Sequence, residues 1–246
     1  MNSRIAVVTG GIGGLGTEIC RHLAQDGRRV VAVDLGGSDA RLATFFAATA
    51  GLDVAFEAAD VGDPESCAAL VDRIGAAHGP IDILVNAAGI TRDARLVKME
   101  QFQWDEVMRV NLDSVFNLCR LVVEGMCDRG FGRIVNISSV NGQTGQFGQT
   151  NYAAAKAGMH GFTMALAREV ARKGVSVNSV SPGYIDTEMT RAVREDIRQQ
   201  IVASIPAGRI GQPEDIARVV AFLCSDGADY VTGANVPVNG GLFMSF

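Results

Sequence analysis

The chain opens with a strand, a glycine-rich turn and a helix in immediate succession. Residues 4–9 are mostly apolar, residues 10–16 read GGIGGLG, and apolar residues then recur at helical spacing. Glycines leave room for a phosphate to reach backbone N–H groups, and a helix N-terminus carries partial positive charge. This order predicts a dinucleotide site, although the spacing TGxxxGxG differs from the GxGxxG fingerprint. The expected cofactor contacts in the turn are Gly10, Gly13, Gly14, Leu15 and Gly16.

The second predicted strand, residues 30–33, ends in Asp34, 18 residues after Gly16. A carboxylate at about this distance accepts hydrogen bonds from the adenosine ribose. It would repel the additional phosphate of NADP, and the following Leu35 supplies no compensating cation. We therefore favour NAD(H), with NADP(H) possible. Asp34 simply ending a strand, or Arg41 folding back toward a phosphate, is the alternative.

A second constraint lies in residues 134–158. Residues 134–137 form a β-branched apolar run, which predicts a buried strand delivering Ser139 to its carboxyl end. Residues 140–150 are rich in glycine and amides and are expected to form a substrate-facing loop without helix. The alanine-rich segment that follows predicts a helix, so Tyr152 and Lys156 stand four apart on one face.

This spacing has a chemical consequence for Tyr152. A free phenol has a pKa of about 10, and a nearby ammonium group lowers it toward the pH at which general acid catalysis is efficient. Ser139 would then hold the substrate oxygen. An isolated YxxxK is more often an ordinary half-buried tyrosine with a solvated lysine, so the pair needs support from other motifs.

Composition limits the classes of protein. A chain of 246 residues with 48% hydrophobic residues suits one large α/β domain, residues 1–246, with no linker. A net charge of −5 argues against general nucleic-acid binding. Five scattered cysteines and three separated histidines show no metal-ligand spacing, which indicates reduced thiols and no metal site. No signal peptide or membrane-spanning run is recognisable, so we expect a cytoplasmic protein without membrane contact.

Further strands are predicted at residues 53–58, 81–85, 176–180 and 235–238, and helices at 40–50, 104–126, 187–204 and 213–224. Asp60 is expected to contact the adenine amine or to cap the helix that begins near Pro64. Asn111 lies within the predicted helix 104–126, where asparagine is unfavourable, so it has either a partner or a catalytic task. The polar segment at about 187–210 is expected to cover the site, and its arginines, including Arg191, either face solvent or meet phosphates of an acyl carrier. The apolar tail at 242–246 suggests a subunit contact.

Taken together, these motifs resemble the short-chain dehydrogenase/reductase family along the full length. They are Thr9-Gly10-x-x-x-Gly14-x-Gly16, Asn86-Ala87-Ala88-Gly89, Asn111, Ser139, Tyr152-x-x-x-Lys156 and Pro182-Gly183. The resemblance implies a single-domain Rossmann-type fold, a doubly wound parallel β-sheet flanked by helices on both faces, in a homotetramer. It implies that Tyr152 is the acid/base, and that Lys156 lowers the pKa of Tyr152 and binds the nicotinamide ribose. It also implies that Ser139 orients the substrate carbonyl group and that Asn111 binds a water molecule in a proton relay. The remaining implied cofactor contacts are Asp60, Val61, Asn86, Ala87, Ala88, Gly89, Pro182, Gly183 and Ile185.

Within the family, the segment from Ser139 to Tyr152 and the segment Asn86-Ala87-Ala88-Gly89-Ile90-Thr91-Arg92-Asp93 are similar to acetoacetyl-CoA reductases of polyhydroxyalkanoate synthesis. The similarity implies reduction of a short 3-oxoacyl-CoA to the (R)-3-hydroxyacyl-CoA. It places Gln146, Phe147, Gln149 and Tyr184 along the acyl pocket with Ser139 and Tyr152. Such reductases commonly use NADPH, so Asp34 departs from their pattern. The alternatives are 3-oxoacyl-[acyl-carrier-protein] reductase and, more remotely, a dinucleotide-sensing protein without catalysis.

Overall fold

Seven parallel strands form one sheet in the computed structural model, which describes residues 3–187, 190 and 194–244. The strands are β1 Ile5–Thr9, β2 Arg29–Asp34, β3 Val54–Ala58, β4 Ile81–Asn86, β5 Gly132–Ile137, β6 Val175–Pro182 and β7 Asn235–Val238. Their order is β3-β2-β1-β4-β5-β6-β7, and every neighbouring pair is parallel. The chain therefore winds outward from β1 in one direction and from β4 in the other. Ligands of such sheets bind at this switch point, beyond the carboxyl ends of the strands.

Helices connect the strands and cover both faces of the sheet. They are α1 Gly14–Gln25, α2 Asp39–Ala48, α3 Pro64–His78, α4 Gln101–Met108, α5 Ser114–Asp128, α6 Asn141–Thr144, α7 Thr150–Val170, α8 Glu195–Ser204 and α9 Pro213–Leu223. Short 3₁₀ turns occur at Leu96–Lys98, Ala171–Lys173 and Asp226–Ala228.

Alternation along β1 shows why the sheet needs helices on both sides. Ile5 and Val7 pack into a core with α3, α5 and α7, whereas Ala6 and Val8 pack into a second core with α1, α2 and α9. Strands buried on both faces read as continuous apolar runs, which is how they were predicted. The doubly wound α/β fold is confirmed.

Two local predictions were wrong. The predicted helix 104–126 is interrupted by a π-helical turn, Arg109–Asp113, between α4 and α5. The segment 140–150 is not entirely a loop, because Asn141–Thr144 forms α6.

Other predictions fall partly outside the described residues. Of the predicted cover at 187–210, the structure describes Thr187, Thr190 and residues from 194 onward, so Arg191 is outside. Residues 245 and 246 of the apolar tail are outside as well. Within the described ranges, no helix combines the length and apolarity that crossing a bilayer requires.

Candidate active site

The glycine turn follows β1 and leads directly into α1. Gly10 adopts φ +64°, a conformation that favours glycine, and a Cβ atom there would meet the backbone of Ala88 at 3.0 Å. A Cβ on Gly16 would lie 2.1 Å from the carbonyl oxygen of Gly10. These two glycines let the turn fold back upon itself and against the end of β4.

Gly14 has a different environment from Gly16. Among the residues that the structure describes, a Cβ atom at Gly14 would meet only the side chain of Thr187, at 3.8 Å, so as far as they show this side of the turn is open. The N-cap of α1 is Gly13, which has no side chain to bond the first N–H groups of the helix. The first turn of α1 contains no acidic residue that would repel a phosphate. The first N–H groups of a helix lack partners within it, so this end of α1 fits the pyrophosphate of a dinucleotide.

Asp34 ends β2 beside this turn, as predicted. Its Oδ1 atom accepts a hydrogen bond from the Leu35 N–H at 2.9 Å. Partial burial raises the pKa of Asp34, while the Leu35 and Ile12 N–H groups and the charge of Arg41 act in the opposite direction. Arg41 therefore lies close enough to influence this carboxylate, and the stem of its side chain faces Gly37.

Asp60 is not the helix cap that the alternative interpretation allowed. The cap of α3 is Asp63, whose side chain accepts from the Glu65 N–H. Asp60 instead accepts from the Gly62 N–H at 2.9 Å and pairs with Arg109 at 2.8 Å. The side chain of neighbouring Val61 is buried in the core with α3 and α5, so only its backbone is available to a ligand.

The turn after β4 is held against β1 by hydrogen bonds. Thr9 Oγ1 accepts from the N–H groups of Ala87 and Ala88, each at 3.0 Å. The Asn86 side chain points into the sheet, where its amide nitrogen donates to Asn136 Oδ1 at 2.8 Å. A Cβ on Gly89 would lie 2.6 Å from Asn111 Oδ1 and 3.5 Å from Lys156 Nζ, so this glycine brings the turn to the centre of the site.

Asn111 lies in the π-helical turn and is fully buried. Its amide nitrogen donates to the carbonyl oxygens of Ile90 (2.9 Å) and Val107 (3.0 Å), and its Oδ1 accepts from the Ile90 N–H (3.0 Å). The side chain is therefore occupied in fixing the segment after β4, the structural role that the sequence left open. A role in holding a water stays a prediction.

Ser139, Tyr152 and Lys156 converge beyond the carboxyl end of β5. Lys156 Nζ donates to the carbonyl oxygen of Ile137 at 2.8 Å and lies 5.6 Å from the centre of the Tyr152 ring. Ser139 Oγ accepts from the Asn141 N–H at 3.1 Å and lies close enough to the Tyr152 phenol to lower its pKa. A hydroxyl, a phenol and an amine thus share one corner of the sheet.

Burial acts on both titrating groups of this corner. It lowers the pKa of Lys156 to about 8. It raises the pKa of Tyr152, which the Ser139 hydrogen bond lowers and the negative charge of Asp93 raises further. The expected lowering of the phenol pKa is therefore not seen in the chain by itself, because desolvation outweighs the hydrogen bond with Ser139.

The segment between β5 and α7 is tied to the segment after β4. Asn141 donates to Gln149 Oε1 at 2.9 Å, and Gln149 donates to Asp93 at 2.9 Å. Asn151, fully buried at the start of α7, donates to the carbonyl oxygens of Arg92 and Gln103. Asn151 is not among the predicted site residues, and its only signal in the sequence is its position immediately before Tyr152.

A cleft of about 400 Å³ lies beside this corner. Two of the predicted acyl-pocket residues line it, Gln146 and Tyr184, together with Ile197, Gln200 and Ile201 of α8. Phe147 does not line it, since 82% of its surface is exposed, and the Gln149 amide is engaged by Asn141 and Asp93. The α8 residues are not among the predicted site residues, because only the packing of α8 shows which of its faces meets the cleft.

The last predicted cofactor contacts lie at the carboxyl end of β6 and just beyond it. Pro182 accepts a hydrogen bond from the Val140 N–H at 2.8 Å, and Gly183 donates to Val238 at 3.0 Å. A Cβ on Gly183 would lie 2.8 Å from Asn239. The Ile185 side chain is buried in the core with α1 and α9. Pro182 and Gly183 thus border the site, whereas the buried side chain of Ile185 is not available to a ligand.

Comparisons with known proteins cover almost the whole chain. A family model described as "Enoyl-(Acyl carrier protein) reductase" matches residues 10–243. The chain is 58% identical over 245 residues to "Acetoacetyl-CoA reductase" of Allochromatium vinosum, covering 98% of this chain and 99% of that protein. It is 53% identical over 246 residues to "Acetoacetyl-CoA reductase" of Cupriavidus necator, covering 99% and 100%. A "3-oxoacyl-[acyl-carrier-protein] reductase" of Pseudomonas aeruginosa is 47% identical over 245 residues, covering 100% and 99%.

Proposed function

The chain belongs to the short-chain dehydrogenase/reductase family of NAD(P)(H)-using oxidoreductases, and from this premise we propose that it reduces acetoacetyl-CoA to (R)-3-hydroxybutyryl-CoA. The observation that carries the proposal is the meeting of Ser139, Tyr152 and Lys156 at the carboxyl end of β5, beside a cleft that can admit a short acyl group. The choice of thioester is supported by the higher identity to two acetoacetyl-CoA reductases (58% and 53%) than to a carrier-protein reductase (47%).

In this reaction the protein's own residues supply a proton and position the substrate. The 3-oxo oxygen would be held between Ser139 Oγ and the Tyr152 hydroxyl, which lie near enough for the serine to lower the pKa of the phenol. Tyr152 gives its proton to that oxygen as negative charge develops there, and Lys156 stabilises the phenolate that remains. The nicotinamide cofactor, when bound, supplies the hydride that reduces the 3-oxo carbon.

The cofactor's phosphates would be held by the first turn of α1 and its adenosine ribose by Asp34. We propose a preference for NADH, because the carboxylate of Asp34 would oppose a ribose phosphate. Arg41 is the cation close enough to reduce that preference. Asp60, already paired with Arg109, would present its remaining lone pairs to the adenine amine.

The acyl group would lie in the cleft beside Gln146 and Tyr184, with α8 forming the opposite wall. Residues 187–210 would act as the cover of this cleft. Apolar side chains on α8, Ile197 and Ile201, suit a short acyl chain, and the amides of Gln146 and Gln200 suit the polar thioester.

We also propose a homotetramer. Large apolar side chains are exposed on α5 and α7, where 51% of Phe116 and 53% of Met164 is exposed. A second group, Phe222, Tyr230 and Met244, is exposed near the end of the chain. Two separate apolar surfaces suit two kinds of subunit contact.

The five unpaired cysteines suit a reducing compartment, and we propose that the protein is located in the cytoplasm.

The test compares initial rates on acetoacetyl-CoA and on the acetoacetyl carrier-protein thioester, each with NADH and with NADPH. We expect the highest kcat/KM with acetoacetyl-CoA and NADH, and an (R)-3-hydroxy product on chiral analysis. A higher kcat/KM with the carrier-protein thioester would favour the alternative substrate. No rate with either thioester would refute the proposed function, and a higher kcat/KM with NADPH would refute only the cofactor preference.

A further inference from the structure

A line of hydrogen-bonded side chains runs beneath the catalytic corner, from β5 through α7 to β6 and β7. His160 Nε2 lies 3.1 Å from Ser138 Oγ, and His160 Nδ1 lies 3.2 Å from Ser179 Oγ. Ser138 also donates to the carbonyl oxygen of Lys156 at 2.8 Å. Asn235 Oδ1 lies 3.1 Å from Ser179 Oγ and 2.8 Å from Ser181 Oγ.

Counting hydrogens along this line restricts the state of the imidazole. Each serine hydroxyl has one hydrogen to donate, and a neutral imidazole has one N–H donor and one acceptor nitrogen. If Ser138 donates to Lys156 and Ser179 donates to Asn235, both ring nitrogens face oxygen lone pairs. Only a charged imidazolium would satisfy that arrangement.

The surroundings oppose an imidazolium. Burial and the positive charge of Lys156, on the same helix, both lower the pKa of His160. The groups that meet the ring from β5 and β6 are the neutral hydroxyls of Ser138 and Ser179, with the amide of Asn235 behind them. One serine must therefore turn its hydrogen toward the neutral ring.

Ser179 is the serine that can turn with little loss. Asn235 Oδ1 keeps a donor if Ser179 turns away, because Ser181 lies closer to it, at 2.8 Å. The bond from Ser138 to the Lys156 carbonyl oxygen is also the shorter of the two, 2.8 Å against 3.1 Å from Ser179 to Asn235, so it is the costlier one to give up. Ser179 then donates to Nδ1, and the ring proton resides on Nε2 and is donated to Ser138.

We propose that His160 is a positioning residue, held as the neutral Nε2–H tautomer, which fixes Ser138 and through it the main chain at Lys156. Ser138 lies between Ile137, whose carbonyl oxygen accepts from Lys156 Nζ, and Ser139, which meets the Tyr152 phenol. Fixing Ser138 therefore fixes both neighbours that orient the catalytic groups. The catalytic part of this inference rests on the proposed reduction, whereas the tautomer does not.

The tautomer is tested by ¹⁵N NMR of the full-length protein labelled at histidine. The chain has three histidines, and the spectrum of His160→Gln identifies the signals of His160. We expect a protonated Nε2 and an unprotonated Nδ1 at neutral pH. A proton on Nδ1 alone, or on both nitrogens, would overturn the proposal without bearing on the substrate.

The positioning role is tested by kinetics of His160→Leu and His160→Gln. An amide offers one donor and one acceptor, so glutamine can replace both bonds of the ring, whereas leucine replaces neither. We expect His160→Leu to lower kcat about tenfold with little change in KM, and to move the alkaline limb of the kcat–pH profile upward as Lys156 moves away from Tyr152. His160→Gln should restore both properties toward the wild type.

His22→Gln is the matched control, because this histidine lies on α1 and bonds within that helix to Glu18. It should leave kcat and the pH profile unchanged. A purely structural role for His160 would lower the melting temperature of His160→Leu without moving the alkaline limb, and that result would overturn the positioning role. If the wild type itself failed to reduce acetoacetyl-CoA, the proposed function would fall, and the NMR result would still decide the tautomer.

Discussion

Lys156 Nζ lies 5.6 Å from the centre of the Tyr152 ring, and its position is fixed by a 2.8 Å hydrogen bond to the main chain at the end of β5. Burial lowers the pKa of the amine to about 8 and raises the pKa of the phenol. In the chain by itself the ammonium group is therefore the stronger acid of the two. A second positive charge beside the phenol, which an oxidised nicotinamide would supply, favours the phenolate and brings the tyrosine toward the working pH.

Replacing Tyr152 by phenylalanine removes the hydroxyl and keeps the ring. We expect kcat for the reduction to fall by about 10²- to 10⁴-fold, the usual contribution of a positioned acid. The control is Tyr230→Phe, since Tyr230 lies outside the site and the substitution keeps the ring that the proposed subunit contact would use. Steady-state rates on acetoacetyl-CoA measure the difference, and an undiminished rate for Tyr152→Phe would exclude the mechanism.

Lys156 should make the stability of the protein depend on pH in the alkaline range. Its pKa in the folded chain, about 8, lies below the ordinary value of 10.5, so folding disfavours the charged form. This lowers the free energy of unfolding by about 3 kcal/mol at most. The full reduction applies below pH 8, and it disappears as the pH rises to 10.5. The penalty is removed in Lys156→Met, along with the hydrogen bond to Ile137. We therefore expect the free energy of unfolding of wild type relative to Lys156→Met to rise between pH 8 and 10.5, as measured by denaturant titration. A difference independent of pH would show that the amine is not perturbed.

The sequence predicted the sheet and the convergence of Ser139, Tyr152 and Lys156 because both follow from local patterns. Continuous apolar runs mark strands buried on both faces, and the corner requires only that Ser139 ends β5 while Tyr152 and Lys156 share one helix. Parallel strands place their carboxyl ends together, so the motifs meet without any further information.

The errors concern features that depend on contacts between distant segments. Arg109 pairs with Asp60, and Asn111 bonds to the Ile90 backbone, within the π-helical turn that interrupts the predicted helix. No helical periodicity signals such contacts. The side chain of Phe147 was placed in the acyl pocket by resemblance alone, whereas in the folded chain it is exposed.

Asp93 should raise the pH up to which Tyr152 stays protonated, because its negative charge raises the pKa of the phenol. Asp93→Asn removes the charge and keeps an oxygen that can accept from Gln149. We expect the alkaline limb of kcat for reduction to move to lower pH, since the acid loses its proton earlier. Asp105→Asn, an exposed carboxylate bonded within α4, is the control. A limb that moves upward, or stays in place, would mean that Asp93 does not act on the phenol.

Asp34→Asn tests the cofactor preference. Without the negative charge, a ribose phosphate is no longer repelled. The positive charge of Arg41 is then no longer offset by the carboxylate and can attract the phosphate. We expect the ratio of kcat/KM for NADPH to that for NADH to rise by about tenfold or more, equivalent to 1.4 kcal/mol. Arg41→Ala should change the ratio in the opposite direction. Asp39→Asn, in the first turn of α2, serves as the neutral comparison. An unchanged ratio in Asp34→Asn would remove Asp34 from the explanation of specificity.

The glycine turn allows a matched pair of variants that separates folding from cofactor binding. In Gly16→Ala the new methyl group would lie 2.1 Å from the Gly10 carbonyl oxygen and 2.8 Å from Gly11, so the backbone must move. We expect a loss of about 3 kcal/mol or more in the free energy of unfolding. In Gly14→Ala the methyl group meets Thr187 alone of the described residues, at 3.8 Å, and alanine favours the helix that starts there.

Gly14→Ala should therefore fold with stability equal to or slightly above that of the wild type, as judged by thermal unfolding without cofactor. Its methyl group occupies the open side of the turn, where the phosphates would approach the N–H groups of α1. We expect NADH to bind at least about tenfold more weakly, measured by fluorescence titration, because a small steric displacement at a phosphate removes charge-assisted hydrogen bonds. If this variant bound NADH as tightly as the wild type, the phosphates would have to lie elsewhere, and the proposed fit between α1 and the dinucleotide would be wrong.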